Sequence, residues 1–253
     1  MHKLLLSVVS LSLFGVACSS SSNATTPSGA ADTGTSADTG APAADTGAPK
    51  VADRGIVVDY GSGKGVAGAT VAEGSATTLS DDKGNYSLTI PNDEPVTLVV
   101  SKPGYATTFI GEMIHGVDFD RSVGFASLEI WHIGQSLLPG ADASLGIVNV
   151  IVRPTGACTS IEGGTLTVNS PSGTKVSYFV NKFPDSTRTT MRGSEEPAVT
   201  VYNVPIGSQL DVTITHPTCK VAPFPVDIDG TKYTGKIHVE GADTNSVAFY
   251  YLQ

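Results

Sequence analysis

Asp81-Asp82-Lys83-Gly84-Asn85-Tyr86-Ser87-Leu88-Thr89-Ile90 is the stretch that decides the fold class. Four turn-forming residues lead into six that alternate polar and apolar. That period of two belongs to a half-buried strand and not to a helix. Gly84 supplies the turn backbone, and Tyr86 and Leu88 project to one face. The same texture extends outward. Upstream, Gly55-Ile56-Val57-Val58-Asp59 reads as a strand, Gly61-Ser62-Gly63-Lys64-Gly65 as a turn, and Gly68-Ala69-Thr70-Val71 as the opening of the next strand. Downstream, residues 96–101 form a further strand that ends at the corner Lys102-Pro103-Gly104-Tyr105. Turn signals spaced by about 8–12 residues point to an antiparallel β-sandwich.

The order Gly55-x-Val57-x-Asp59, Gly68-Ala69-x-Val71, Asp81-x-x-Gly84-x-Tyr86-x-Leu88 and Pro103-Gly104-Tyr105 resembles the carboxypeptidase regulatory-like domain. The match spans residues 54–110. It implies a transthyretin-like sandwich of seven strands, used in that family as an accessory module without an active site of its own. Gly84, Tyr86, Leu88 and the Pro103-Gly104 corner would then have structural roles.

Further along, a short helix is expected between Phe125 and Leu138, with Leu128, Trp131 and Gln135 on one face and Pro139-Gly140 as its stop. A second β run opens at Gly146-Ile147-Val148-Asn149-Val150-Ile151-Val152. Further strand candidates are residues 165–169, 175–181, 198–204, 210–216, 235–240 and 246–252, so a diverged second sandwich is expected. Cys158 and Cys219 are read as an intradomain disulfide. A Cys219–His216 nucleophile is the alternative, but nothing around it supplies an activating context.

The N-terminus has another character. Met1-His2-Lys3, an apolar run over residues 4–16 and the small residue Ala17 form a secretory leader, too short to cross a bilayer. Gly15-Val16-Ala17-Cys18 resembles a bacterial lipobox, which implies cleavage before Cys18 and diacylation of that cysteine. An ordinary leader ending in an unmodified cysteine is the alternative. Ser19 stands where an inner-membrane retention signal would place Asp, so the expected location is the outer membrane or cell surface, with the membrane as partner through the lipid anchor. The tract after Cys18 is Ser, Thr, Ala, Gly, Asp and Pro, too poor in large apolar residues to offset the entropy of ordering. It reads as a disordered tether averaging roughly 30–35 Å end to end. Its Asp-Thr-Gly triplets at Asp32, Asp38 and Asp45 copy the aspartic-protease tripeptide but lack the flanking strands that would hold two carboxylates together.

The expected fold class is thus all-β: two small antiparallel β-sandwiches, transthyretin-like or immunoglobulin-like, joined by a linker with a short helix. The expected layout is a signal peptide (1–17), lipidated Cys18 and tether (18–52), a first sandwich (53–112), a connecting segment (113–145) and a second sandwich with the disulfide (146–253). The net charge of −9 disfavours nucleic acid as a partner. Zinc-hydrolase spacing is missing: His115 is followed at the right distance by Asp118, but in a stretch read as loop. Gly63-Lys64 lacks the rest of a phosphate loop. The acidic pairs Asp81/Asp82, Asp118/Asp120 and Asp227/Asp229 lack the downstream bidentate Glu of a calcium loop, and Asp229-Gly230 reads as a hairpin turn. No catalytic residue, metal ligand or cofactor is assigned. The expectation is a non-enzymatic surface protein serving adhesion, envelope structure or docking, with carbohydrate or peptide binding as the alternative. A glycan or envelope protein would be its partner, and Phe224 and Tyr233 are the candidate contact residues.

Overall fold

A computed structural model describes residues 49–169, 172–181, 183–193 and 195–253. The leader, Cys18 and the Asp-Thr-Gly tract lie outside the described residues. Strands β1 (Lys50–Asp59), β2 (Thr70–Glu73), β3 (Ala76–Leu79), β4 (Asn85–Pro91), β5 (Pro95–Ser101), β6 (Thr107–His115) and β7 (Phe119–Phe125) come first. Helix α1 (Leu128–Ser136) follows, with the Ser127 hydroxyl accepting from the Ile130 N–H as its N-cap. Then come β8 (Gly146–Pro154), β9 (Thr165–Asn169), β10 (Lys175–Val180), β11 (Phe183–Asp185) and β12 (Val199–Val204). The chain ends with β13 (Asp211–Thr215), β14 (Val226–Ile228), β15 (Thr231–Tyr233) and β16 (Thr244–Leu252). The fold is all-β around one helix.

Most of the expected strands stand where alternation put them. In β4, Tyr86, Leu88 and Ile90 are buried while Asn85, Ser87 and Thr89 are exposed. Three differences stand out. β1 starts at Lys50, so the end of the expected tether is already strand, its Lys50 and Val51 paired with Pro91 and Ile90. Residues 107–125, read largely as connection, are the strands β6 and β7. Polar residues on both faces mask their alternation, because the inward face carries His115 and Arg121. Residues 235–240 form no strand.

Among the described residues the strands make a three-stranded sheet (β4-β1-β7), a two-stranded sheet (β13-β9) and one of eleven strands. The large sheet runs β11-β10-β12-β8-β16-β6-β5-β2-β3, with β15 against β6 and β14 against β15. Thus β6 gives one edge to β5 and the other to β16 at Thr107–Ile110 and to β15 at Met113–His115. Three ladders run parallel where antiparallel pairing was expected: β1–β7, β16–β6 and β16–β8. Side-chain alternation is the same in both senses, so sequence pattern does not distinguish them.

The two small sheets cover opposite faces of the large one. In β16, Ala248, Tyr250 and Leu252 join a core with Val148, Val150 and Val152 of β8 and Leu166 and Ile214 of the β13-β9 sheet. Val57, Leu88, Leu98, Met113 and Val123 form the other core, under β4-β1-β7. Trp131 of helix α1 joins Ile147 and Tyr202 in a separate, smaller cluster.

Candidate functional site

Two features concentrate chemistry. The first is a charge cluster sealed between the sheets of the first sandwich. Asp53 on β1, Glu73 on β2 and His115 on β6 are each fully buried, and Arg121 on β7 nearly so. Arg121 Nη2 donates to Asp53 and to Glu73 Oε1 (2.9 Å), and its Nε donates to the Tyr86 hydroxyl (3.2 Å). His115 meets Glu73 through Nε2 (3.1 Å) and Thr231 of β15 through Nδ1 (3.2 Å). Since a carboxylate only accepts, Nε2 carries the hydrogen and the Thr231 hydroxyl can donate to Nδ1. Phe119 stacks on both the His115 ring and the Arg121 guanidinium.

The electrostatics follow from burial. Desolvation pushes the Asp53 carboxyl up to about 7, further helped by its hydrogen bond to Glu73, although Arg121 pulls the other way. For Glu73 desolvation also acts upward, but the His115 hydrogen bond and the Arg121 charge outweigh it and hold it near 2. Asp53 therefore keeps a proton that Glu73 has lost, and its O–H can donate a hydrogen bond to the Glu73 carboxylate, whose Oε2 otherwise lacks a partner. Acid, carboxylate and guanidinium then sum to zero charge, the condition under which such a group can be buried. This arrangement knits strands together, and of its charged members Arg121 alone lines the cleft.

The second feature is a cleft in the same face of the large sheet, between the β7 edge, α1 and the second half of the chain. Two adjoining hollows of about 860 and 830 Å³, open mouths included, share Tyr60, Asn149, Pro197 and Asn245. Aromatic and aliphatic walls come from Tyr60, Trp131, Phe183, Phe249 and Ile151. The floor carries a polar row: the Thr200 hydroxyl donates to Asn149 Oδ1 (2.5 Å), and Asn149 Nδ2 donates to Asn245 Oδ1 (2.8 Å). Thr108, opposite Asn245 in the ladder, has a buried hydroxyl without a partner. Arg153 closes one end, bonded to Glu196 (3.0 Å) and lying over Phe249. An apolar cleft with a few fixed polar groups is suited to binding.

Of the residues singled out from sequence, Tyr233 lines this cleft and packs its ring against Phe249 and Tyr251. Phe224 does not. It packs edge-on against Tyr250 at the second core, after which a cis peptide leads to Pro225. Cys158 and Cys219 are joined in a disulfide. His216 is a turn brace, its Nδ1 accepting the Cys219 N–H (3.0 Å) and its Nε2 bonded to the Glu162 carbonyl (2.9 Å). His115, read as a loop residue, ends a strand inside the core. Asp81 and Asp227 serve turns, accepting the N–H groups of Lys83 and Asn85 and that of Gly230, whereas Asp118 reaches across to β1, accepting the Ala52 N–H and pairing with Arg54. Asp229 and Gly230 have positive φ, as a tight hairpin requires.

No family model matches the chain, and no curated protein does. Solved structures similar to it include the Bacillus anthracis TIE protein, at 12% identity over 80% of this chain and with a TM-score of 0.25; the chain spans about a third (34%) of that protein. They also include shaft pilin SpaA from Lactobacillus rhamnosus GG (9% identity, 81% of this chain and 98% of that one, TM-score 0.25). A point mutant of the Streptococcus pyogenes major pilin is a third (10% identity, 81% and 99%, TM-score 0.26). Likenesses this distant carry no argument, and the fold rests on the strands themselves.

Proposed function

We propose that this chain is a non-enzymatic lipoprotein of a bacterial outer membrane or cell surface, anchored through Cys18 and displaying its sandwiches for adhesion, envelope structure or partner docking. One observation supports this above all. The cluster of Asp53, Glu73, His115 and Arg121 is buried and satisfied within itself, while the accessible cleft is mainly apolar, with Arg121 and the Arg153–Glu196 pair among its lining, and is suited to binding rather than chemistry. The resemblance of residues 54–110 to an accessory module agrees with that reading. Two acyl chains on Cys18 would hold the protein on a membrane essentially for good, since each buried CH₂ contributes about 0.8 kcal/mol. Replacing Cys18 with Ala is expected to move the protein from the membrane fraction to the soluble one. Membrane retention of a cleaved, unacylated form would contradict the anchor.

A second reading, a carbohydrate- or peptide-binding accessory protein, is favoured by the cleft itself, where Tyr60, Trp131 and Phe249 stand over an amide floor.

A further inference from the structure

We infer that the cleft takes an extended peptide as a fourth strand on the free edge of β7; this rests on the second reading above and names its ligand. The small sheet ends at β7, whereas the large sheet beneath continues through β16 and β8. A lane is left beside β7, lined by Val247, Phe249, Asn149 and Ile151.

The backbone of β7 specifies the occupant. The Phe125 carbonyl accepts the Tyr60 N–H (3.0 Å) in line with β1, so Phe125 turns its backbone groups inward. The Arg121 carbonyl lies against Gly55 of β1, where any side chain would collide with it. Alternation then turns the N–H and C=O groups of Asp120, Ser122 and Gly124 outward along the lane. Their two-residue spacing is that of an extended chain, and main-chain pairing with such an edge is an established mode of peptide capture. β7 carries no proline, and among the described residues nothing pairs with its outer edge, so the outward N–H and C=O groups stay open to a further strand. The unpartnered Thr108 hydroxyl on the lane floor, 1% exposed, is a further polar group awaiting a partner.

Charge narrows the choice. Asp120 on β7 and Glu129 in the first turn of α1 are exposed acids, whereas Arg54 and Arg153 are already paired with Asp118 and Glu196. The peptide that fits has apolar side chains at alternate positions, facing Val247 and Phe249, and lysine or arginine at its ends.

The probe is a seven-residue peptide, acetylated and amidated, with valine at alternate positions and a lysine at each end, titrated into the whole chain. Binding is expected to slow amide hydrogen exchange at Asp120, Ser122 and Gly124 while leaving the inward amides of Arg121 and Val123 unchanged. Ser122→Pro removes a donor that the β1–β7 ladder does not use, and is expected to weaken binding on the order of tenfold, as the loss of about one hydrogen bond would. Ser122→Ala should bind as the unaltered chain does. No binding at millimolar peptide, binding without protection of those amides, or full binding by a folded Ser122→Pro chain would each overturn the inference. Oligosaccharide binding or self-association in place of peptide binding would do the same. None of these results would touch the anchor at Cys18.

Discussion

Asp53 and Glu73 divide one proton unevenly, and stability should record it. Between the ordinary aspartate value of 3.8 and about 7, the folded chain holds a proton on Asp53 that the unfolded chain has released. Stability therefore falls as pH rises through that window. Glu73 acts in the opposite sense: its carboxyl, near 2 when folded and 4.5 ordinarily, gives stability that is lost as pH drops below 4.5. The melting temperature is expected to peak near pH 4–5 and decline toward pH 7–8. Asp53→Asn should flatten that decline, because an amide keeps both the donor to Glu73 and the acceptor for Arg121 without a charge to lose. A Tm profile of the Asp53→Asn variant still falling between pH 5 and 7 would exclude Asp53 as its source. Little of this cluster was legible beforehand. Its members are spread over five strands, and no local motif joins them. The available signal was positional: Arg121 alternates with Phe119, Val123 and Phe125, and Glu73 stands two residues after Val71, so each charge sits on an inward face. A charge in an apolar register implies a buried partner, and only tertiary structure identifies which.

The disulfide acts on elements. Cys158 lies in the turn after β8 and Cys219 in the loop after β13, so the bond closes a loop with a sequence separation of 61 that contains the whole two-stranded sheet β13-β9. That sheet covers the second core with little pairing of its own, since a two-stranded ribbon is marginal in isolation. Replacing both cysteines with serine is expected to cost about 4 kcal/mol on the chain-entropy estimate, with β13-β9 the first part to open. Chemical denaturation would give the loss, and hydrogen exchange at Leu166 and Ile214 would place it. A loss under about 1 kcal/mol would mean that the packing of Leu166, Ile214 and Met191 holds the sheet without the bond. The pairing itself is expected from Cys158 and Cys219 once the leader-like start is read as export. The strands on either side of each turn could be read from pattern, because β4 and β8 alternate or run apolar without interruption. β6 and β7 could not, since their inward polar residues break the very pattern on which such reading depends.

At the scale of the molecule, the division into two sandwiches is crossed by two strands, β16 and β15. β16 pairs in parallel with β6 at Thr107–Ile110 and with β8 along Ile147–Pro154, and β15 adds a second tie at Met113–His115. Trp131 and Gln135 of α1 both donate to the Ala242 carbonyl, fastening the loop that delivers β16 to its slot. Sequence could not show this, because an apolar C-terminal strand is equally suited to the edge of its own sandwich. The consequence is thermodynamic. If β16 leaves, β6 exposes Ile110 along an unpaired edge and β8 loses its longest ladder, so neither half keeps its sheet. Scanning calorimetry of the whole chain is therefore expected to show a single transition with calorimetric and van't Hoff enthalpies in agreement. Residues 53–145 expressed alone should fail to fold as a monomer, since the strand that completes their sheet is missing: Thr107 of β6 pairs with Thr244 of β16. Two resolved transitions, or a stable monomer of residues 53–145 with slow exchange along β6, would show that the halves are independent and that β16 merely rests between them.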